Sequence, residues 1–119
     1  MTAATADPTS QAQPDSTQIQ LKKGVLELCV LALLARRDSY AYEIASQLAR
    51  AIDMGEGTIY PLMRRIERAG LVDTYLVQSD SGPARKYYKL TKSGRAQFGQ
   101  LRAEWSEFAG AVAAILGGS

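Results

Sequence analysis

Three side chains able to form hydrogen bonds recur every four residues near the middle of the chain: Tyr60, Arg64 and Arg68. Residues four apart lie on one face of a helix, so the phenol and both guanidinium groups would project together. An arginine can bond a guanine edge through two hydrogen bonds, and a helix fits the DNA major groove. The alternative is the solvated basic face of an ordinary amphipathic helix.

Apolar residues between these groups predict the helix that carries them. They recur at spacings of three and four, which is typical of one buried helix face, and they are Ile59, Leu62, Met63 and Ile66. Pro61 lacks a backbone donor and is tolerated only near a helix start. We therefore place the start at residues 55–58 and the end at residue 69, where Gly70 is typical of a C-terminal cap.

The net charge of +2 is unevenly distributed along the chain. Residues 57–102 contain nine basic and three acidic side chains, an asymmetry that indicates a polyanionic partner. Histidine is absent and Cys29 is the single cysteine, so the chain lacks the commonest general base and any Cys/His zinc site. We predict no enzymatic activity and no cofactor or metal, with Cys29 a buried structural thiol rather than a redox sensor.

The N-terminal region has no secretory signal pattern. The longest apolar run, residues 28–35, is too short to cross a bilayer, and a lone cysteine suits a reducing compartment. We expect a cytoplasmic protein with no membrane partner. Residues 1–18 contain almost no large apolar side chain and are predicted to form a disordered tail.

Two further helices precede the one that carries Arg64. Residues 19–37 have two apolar stripes, so that part of this helix is expected to meet another subunit. Asp38 and Ser39 are predicted to cap a helix over residues 40–52. A short turn at residues 54–55 then joins it to the next helix, an arrangement typical of a helix-turn-helix.

A β-hairpin and a long helix complete the predicted fold. Residues 72–78 and 85–90 are β-prone and flank a turn at residues 79–83, which predicts the wing of a winged helix. Thr91 is predicted to cap the last helix. Its apolar residues have a mean period of 3.5, which favours contact with a symmetry mate: Phe98, Leu101, Trp105, Phe108, Val112 and Ile115.

The predicted fold class is mainly α with a small β-hairpin. A winged helix-turn-helix domain over residues 19–91 would be followed by a dimerisation helix over residues 92–119.

Three motifs of this chain resemble the PadR-like transcriptional regulators. They are residues 40–43 (YAYE), residues 57–62 (GTIYPL) with residues 65–67 and 70–72, and residues 85–88 (RKYY) with Leu90, Thr91 and Gly94. The resemblance covers about five-sixths of the chain, and Ala41 stands where members usually have Gly. It implies a homodimeric repressor with two recognition helices in successive major grooves of a pseudo-palindromic operator.

Chemistry suggests roles for individual side chains on double-stranded DNA. Phosphate contacts are predicted for Arg85 and Lys86 at the wing, with Ser39, Tyr40 and Thr58. Base contacts are predicted for Tyr60, Arg64 and Arg65. Arg65 has an alternative role in the scaffold, paired with Glu67 or Glu43.

Trp105 has two possible roles. It is either an anchor of the dimer core or, with Leu26, Leu101 and Phe108, a wall of an interface pocket for a small aromatic or hydrophobic effector. The leading hypothesis is a repressor released from its operator by such an effector. The alternative is a winged-helix module for protein interaction without specific DNA binding.

Overall fold

The computed structural model describes residues 14–117, with side chains described from residue 25. The elements follow in the order α1 (Pro14–Arg36), β1 (Ser39–Tyr40), α2 (Ala41–Ile52), α3 (Glu56–Arg68), β2 (Val72–Val77), β3 (Arg85–Leu90) and α4 (Lys92–Ile115). The three helices that precede the hairpin enclose one apolar core with the sheet, so the described part has the predicted winged helix-turn-helix fold.

Helix α1 begins at Pro14, five residues before the predicted start. Proline suits the first helical position because its missing N–H would have no helical partner there. The predicted tail over residues 1–18 is therefore wrong for its last five residues. Residues 1–13 lie outside the described residues.

The two apolar stripes of α1 have different environments. Leu26, Val30 and Leu34 are fully buried in the core, whereas Leu28 and Ala32 are half-buried beside Phe98 of α4. The stripe that contains Leu28 and Ala32 therefore packs partly on the chain's own last helix. Cys29 is half-buried rather than buried, and desolvation raises the pKa of its thiol, which disfavours the reactive thiolate.

The start of α2 differs from the prediction. Residues 39–40 form a short strand, with Ser39 paired to Tyr88 and Tyr40 to Tyr87 of β3. The N-cap residue of α2 is therefore Tyr40, rather than Asp38 or Ser39. The cap is supplied by Glu43, whose carboxylate accepts a hydrogen bond from the Tyr40 backbone N–H at 3.3 Å. A two-residue strand leaves no periodic signal, because its pairing depends on a partner far along the chain.

Helix α3 ends in a Schellman motif. The Gly70 N–H donates to the Glu67 carbonyl and the Leu71 N–H to the Ile66 carbonyl, each at 3.0 Å, which satisfies two carbonyls that the helix end leaves free. Gly70 has φ +78°, a conformation that glycine adopts at little cost. The predicted cap is confirmed, and it turns the chain directly into β2.

The sheet is antiparallel with strand order β1-β3-β2. Alternate side chains of each strand face the helices, as the period of two requires: Val72, Tyr88 and Leu90 are buried, while Asp73, Tyr75 and Lys89 are exposed. Of the adjacent tyrosines, Tyr88 lies in the core and Tyr87 is half-buried on the outer face. The hairpin therefore packs one apolar face against the helical core and leaves the other face exposed.

Helix α4 is attached to the domain at its first turn. Thr91 accepts a hydrogen bond from the Gly94 N–H at 3.0 Å, which confirms the predicted cap, and its backbone N–H donates to the Leu71 carbonyl at 3.1 Å. Gly94 packs so closely on Leu71 that a β-carbon would overlap the Leu71 carbonyl oxygen and lie 3.0 Å from a methyl of Leu90. None of the helices between residues 14 and 117 is long and apolar enough to cross a lipid bilayer.

Candidate nucleic-acid interface

The outward side of α3 is basic because its apolar residues are all directed inward. Ile59, Met63 and Ile66 are fully buried, which leaves Arg64 and Arg68 exposed on the opposite side. Tyr60 is half-buried at the flank of this surface, and burial, followed by the nearby charge of Glu56, raises the pKa of its phenol. The phenol is therefore a neutral donor beside two permanent positive charges.

Arg65 is placed differently from Arg64. Its guanidinium Nη2 lies 2.8 Å from the Glu27 Oε1 of α1, on the flank of α3 that faces α1 and α4. The scaffold alternative is therefore observed, but its partner is Glu27 rather than Glu43 or Glu67. The ion pair turns this guanidinium away from the Arg64 surface.

Two exposed basic side chains begin strand β3, beside the turn of the wing. The Arg85 guanidinium stacks over the Tyr40 ring, 4.7 Å from its centroid, while the Lys86 ammonium donates to Glu67 Oε1 at 3.1 Å. That hydrogen bond raises the pKa of Lys86, so the ammonium stays charged. The pair also joins the wing to the last turn of α3.

The other predicted phosphate contacts have unequal exposure. Ser39 is only 3% exposed, and its hydroxyl donates to the Arg37 carbonyl at 3.3 Å. Its predicted phosphate contact is wrong for this arrangement, because strand pairing places the side chain on the core face. Thr58 and Tyr40 are half-buried and keep a solvent-facing surface.

Three tyrosine rings line the outer face of the sheet. Tyr87 lies between Tyr40 at 5.4 Å and Tyr75 at 5.8 Å between ring centroids. The Tyr75 hydroxyl donates to Asp38 Oδ2 at 2.6 Å, and this hydrogen bond raises the pKa of the phenol. The rings fix β1 and Asp38 against the hairpin and hold Tyr40 beneath Arg85.

A groove of about 370 Å³ runs between α1 and α4. Trp105, Phe108 and Leu101 form its apolar side, and the Trp105 and Phe108 rings are 6.5 Å apart. Glu27, Arg65, Gln97 and Glu104 supply its polar groups. Leu26 was predicted as a fourth apolar wall, which is wrong: it is buried in the core and borders a separate depression.

The apolar seam of α4 leaves the domain after its third turn. Phe98 and Leu101 pack against the core, and Val112 is half-buried. Trp105 is 45% exposed, Phe108 64% and Ile115 83%. A row of large apolar groups without a cover within one chain is typical of a surface that another protein covers.

Apart from Leu26, the buried core residues and the basic groups of α3 and the wing lie within the region that matches a known family. The sequence model of the "Transcriptional regulator PadR-like family" matches residues 30–100. The chain belongs to this family. The resemblance drawn from the three motifs is thereby confirmed.

This PadR-like regulator is similar to two proteins with solved structures and to a further relative known by its sequence. A PadR-like transcriptional regulator from Bacillus cereus is 34% identical, with 84% of this chain and 99% of that chain covered and a TM-score of 0.76. A PadR family transcriptional regulator from Eggerthella lenta is 31% identical, with 91% and 96% covered and the same TM-score. An uncharacterized protein of Lysinibacillus sphaericus is 30% identical over 89 residues, which span 71% of this chain and 82% of that protein.

Family membership establishes the general activity. PadR-like regulators control transcription through DNA and are not enzymes, so this chain is a transcriptional regulator with DNA as a partner. Among the described residues, no group of three or more His, Cys, Asp or Glu side chains is arranged to hold a metal ion.

Two polar residues of this PadR-like regulator were missed in the sequence. Glu27 of α1 bonds Arg65, and its other oxygen accepts from Gln97 Nε2 at 3.4 Å. The available signal was Glu27 itself, the single charged residue between residues 24 and 35. Gln97 left no such signal, because a glutamine beside an apolar seam is ordinary on a helix surface.

Proposed function

We propose that the protein is a homodimeric transcriptional repressor that binds a pseudo-palindromic operator and is released by a small aromatic or hydrophobic effector. It would act in the cytoplasm, where its DNA is accessible. The observation that supports this proposal best is the exposed seam of α4, from Trp105 to Ile115. A second copy covers such a seam by symmetry, because the same residues face each other across a two-fold axis.

In the proposed dimer, each copy presents one α3 to the duplex. The two recognition helices would enter major grooves about 34–36 Å apart, one turn of the duplex. Arg64 and Tyr60 are the proposed base-reading groups, with Arg68 on the same exposed surface. Arg65 is assigned to the groove instead, because its guanidinium is held by Glu27.

Phosphate contacts are proposed for Arg85, Lys86, Tyr40 and Thr58. Replacing Arg85 and Lys86 together by Ala should reduce the slope of log K against log salt by about 3.6, since the proposed dimer loses four phosphate contacts and each contributes about 0.9. Fluorescence anisotropy of a labelled duplex at several salt concentrations measures this slope. The duplex is identified beforehand by selecting, from a pool of random-sequence DNA, the sequences that bind the full-length protein.

The matched control is Arg95→Ala, which removes an exposed positive charge from α4 away from the wing. It should leave the slope unchanged. An unaltered slope in the double variant would remove the wing from the proposed contacts. If the wild-type protein bound no duplex from the selection, the protein-interaction alternative would replace the repressor.

The groove beside Trp105 is the proposed effector site, in each copy next to the dimer seam. Apolar and aromatic walls with a few polar groups are usual for ligand sites. Trp105 is the single tryptophan, so a planar aromatic compound in the groove should quench the tryptophan fluorescence of the protein. The same compound should weaken operator binding over the same concentration range. A library of such compounds is screened by tryptophan emission and then by anisotropy of the duplex.

The quenching experiment also has a specific control. Ser106→Ala changes an exposed side chain of α4 that belongs neither to the seam nor to the residues that line the groove, and it should preserve both responses. Release of the duplex by a compound that leaves Trp105 emission unchanged would place the effector site elsewhere.

A further inference from the structure

Glu27 joins three helices through one carboxylate. Its side chain is 20% exposed on α1, with Arg65 of α3 2.8 Å from one oxygen and Gln97 of α4 3.4 Å from the other. Hydrogen bonds to an ionised group are stronger than those between neutral groups. The carboxylate is therefore a polar bridge between the DNA-facing helix and the seam helix.

The Glu27–Arg65 pair also separates two depressions of the surface. On one side lies the groove with Trp105 and Phe108. On the other lies a depression of about 300 Å³ bordered by Thr58, Pro61 and Arg68 of α3. Because Glu27 and Arg65 line both, a change of their geometry alters the groove and the surface of α3 together.

We propose that Glu27 is a positioning residue that couples the Trp105 groove to the orientation of α3 through Arg65. This inference rests on the proposed function, since it concerns how groove occupancy reaches the DNA. With the groove empty, Glu27 holds Arg65 and keeps α3 aligned with α1. A ligand with a hydrogen-bond donor competes for the carboxylate, releases Arg65 and lets α3 move relative to α4.

Thermodynamic reciprocity provides a test that needs no identified effector. If a ligand in the groove changes the affinity for DNA, bound DNA must change the affinity of the groove for that ligand by the same factor. Bound DNA must therefore act on the groove. Titration of the full-length dimer with the selected duplex should therefore change the emission of Trp105. In Glu27→Gln and in Arg65→Gln the duplex should still bind, but the emission change should be lost.

Two comparisons separate coupling from a general structural role. Glu107→Gln alters an exposed carboxylate of α4 that does not line the groove, and it should keep the full emission change. The double variant Glu27→Gln/Arg65→Gln should show no loss beyond either single variant, because residues acting as one unit are not additive. Circular dichroism and the dimer mass check the fold of each variant.

The outcomes distinguish this inference from the proposed function. Absence of duplex binding by the wild type would overturn both. Duplex binding without an emission change in the wild type would overturn only the coupling, as would an undiminished change in the folded Glu27→Gln or Arg65→Gln variant. Loss of the change in both variants with retention in Glu107→Gln supports the coupling. Once an effector is identified, Glu27→Gln should also reduce its effect on duplex affinity, which in allosteric proteins is roughly 5- to 150-fold.

Discussion

Replacing Phe108 by Glu is expected to convert the protein into a folded monomer that binds operator DNA at least about 100-fold more weakly, the lower end of the gain from two linked sites. Phe108 is 64% exposed in the single chain, so the change removes nothing from the domain core. In the proposed dimer it buries a charge without a partner against an apolar seam, which is strongly unfavourable. Sedimentation gives the mass, which should fall from twice the 12.9 kDa of one chain to one chain.

Ala103→Glu provides the matched control for this experiment. It places the same charge on the exposed side of α4 that points away from the seam, so mass and duplex affinity should remain those of the wild type. A dimer of normal operator affinity in Phe108→Glu would contradict the proposed role of the seam. The wild type as a monomer at micromolar concentration would also contradict it.

Gly94→Ala is expected to have the largest effect on stability. The added methyl group would overlap the Leu71 carbonyl oxygen and press on Leu90. The first neighbour is backbone, and the second is a side chain buried in the core. Overpacking of this kind costs about 1–3 kcal/mol, with a further loss if the Thr91–Leu71 hydrogen bond breaks. For a domain of this size, each 1 kcal/mol corresponds to a Tm lower by roughly 4–8 °C.

Gly99→Ala, on the same helix, is the control for Gly94→Ala. A β-carbon at residue 99 has no neighbour within 4 Å, and alanine is a better helix former than glycine by about 1 kcal/mol. Gly99→Ala should therefore unfold at the same or a slightly higher temperature. Urea denaturation followed by circular dichroism measures both variants, and equal stability of the two would contradict the close packing at Gly94.

The contact at Gly94 also has a consequence for the geometry of a dimer. Leu71 follows the cap of α3 directly, and its carbonyl group accepts from Thr91 at the start of α4. The end of the recognition helix and the start of the seam helix are thus attached to one peptide group. In the proposed dimer this attachment is expected to transmit the orientation of α4 to α3. Glu27 makes a second connection through Arg65, about one helical turn before the end of α3.

Local patterns in the sequence by themselves determined most of the elements. The three- and four-residue spacing around Ile59 and Met63, the turn-forming residues between β2 and β3, and the caps at Gly70 and Thr91 act over a few residues, so they are readable without a fold. The exposure of Arg64 and Phe108 follows from the same periodicity. Family membership followed from motifs within these elements.

Only the tertiary structure decided which side chains meet across the fold. Ser39 is buried because a distant strand pairs with it, and Arg65 is engaged by Glu27, which lies thirty-eight positions earlier in the chain. Leu26 lies in the core and not in the groove because α1 rotates that stripe toward α3. Such contacts depend on how helices and strands pack over long sequence separations, and a local period specifies a face but not the residue that it meets.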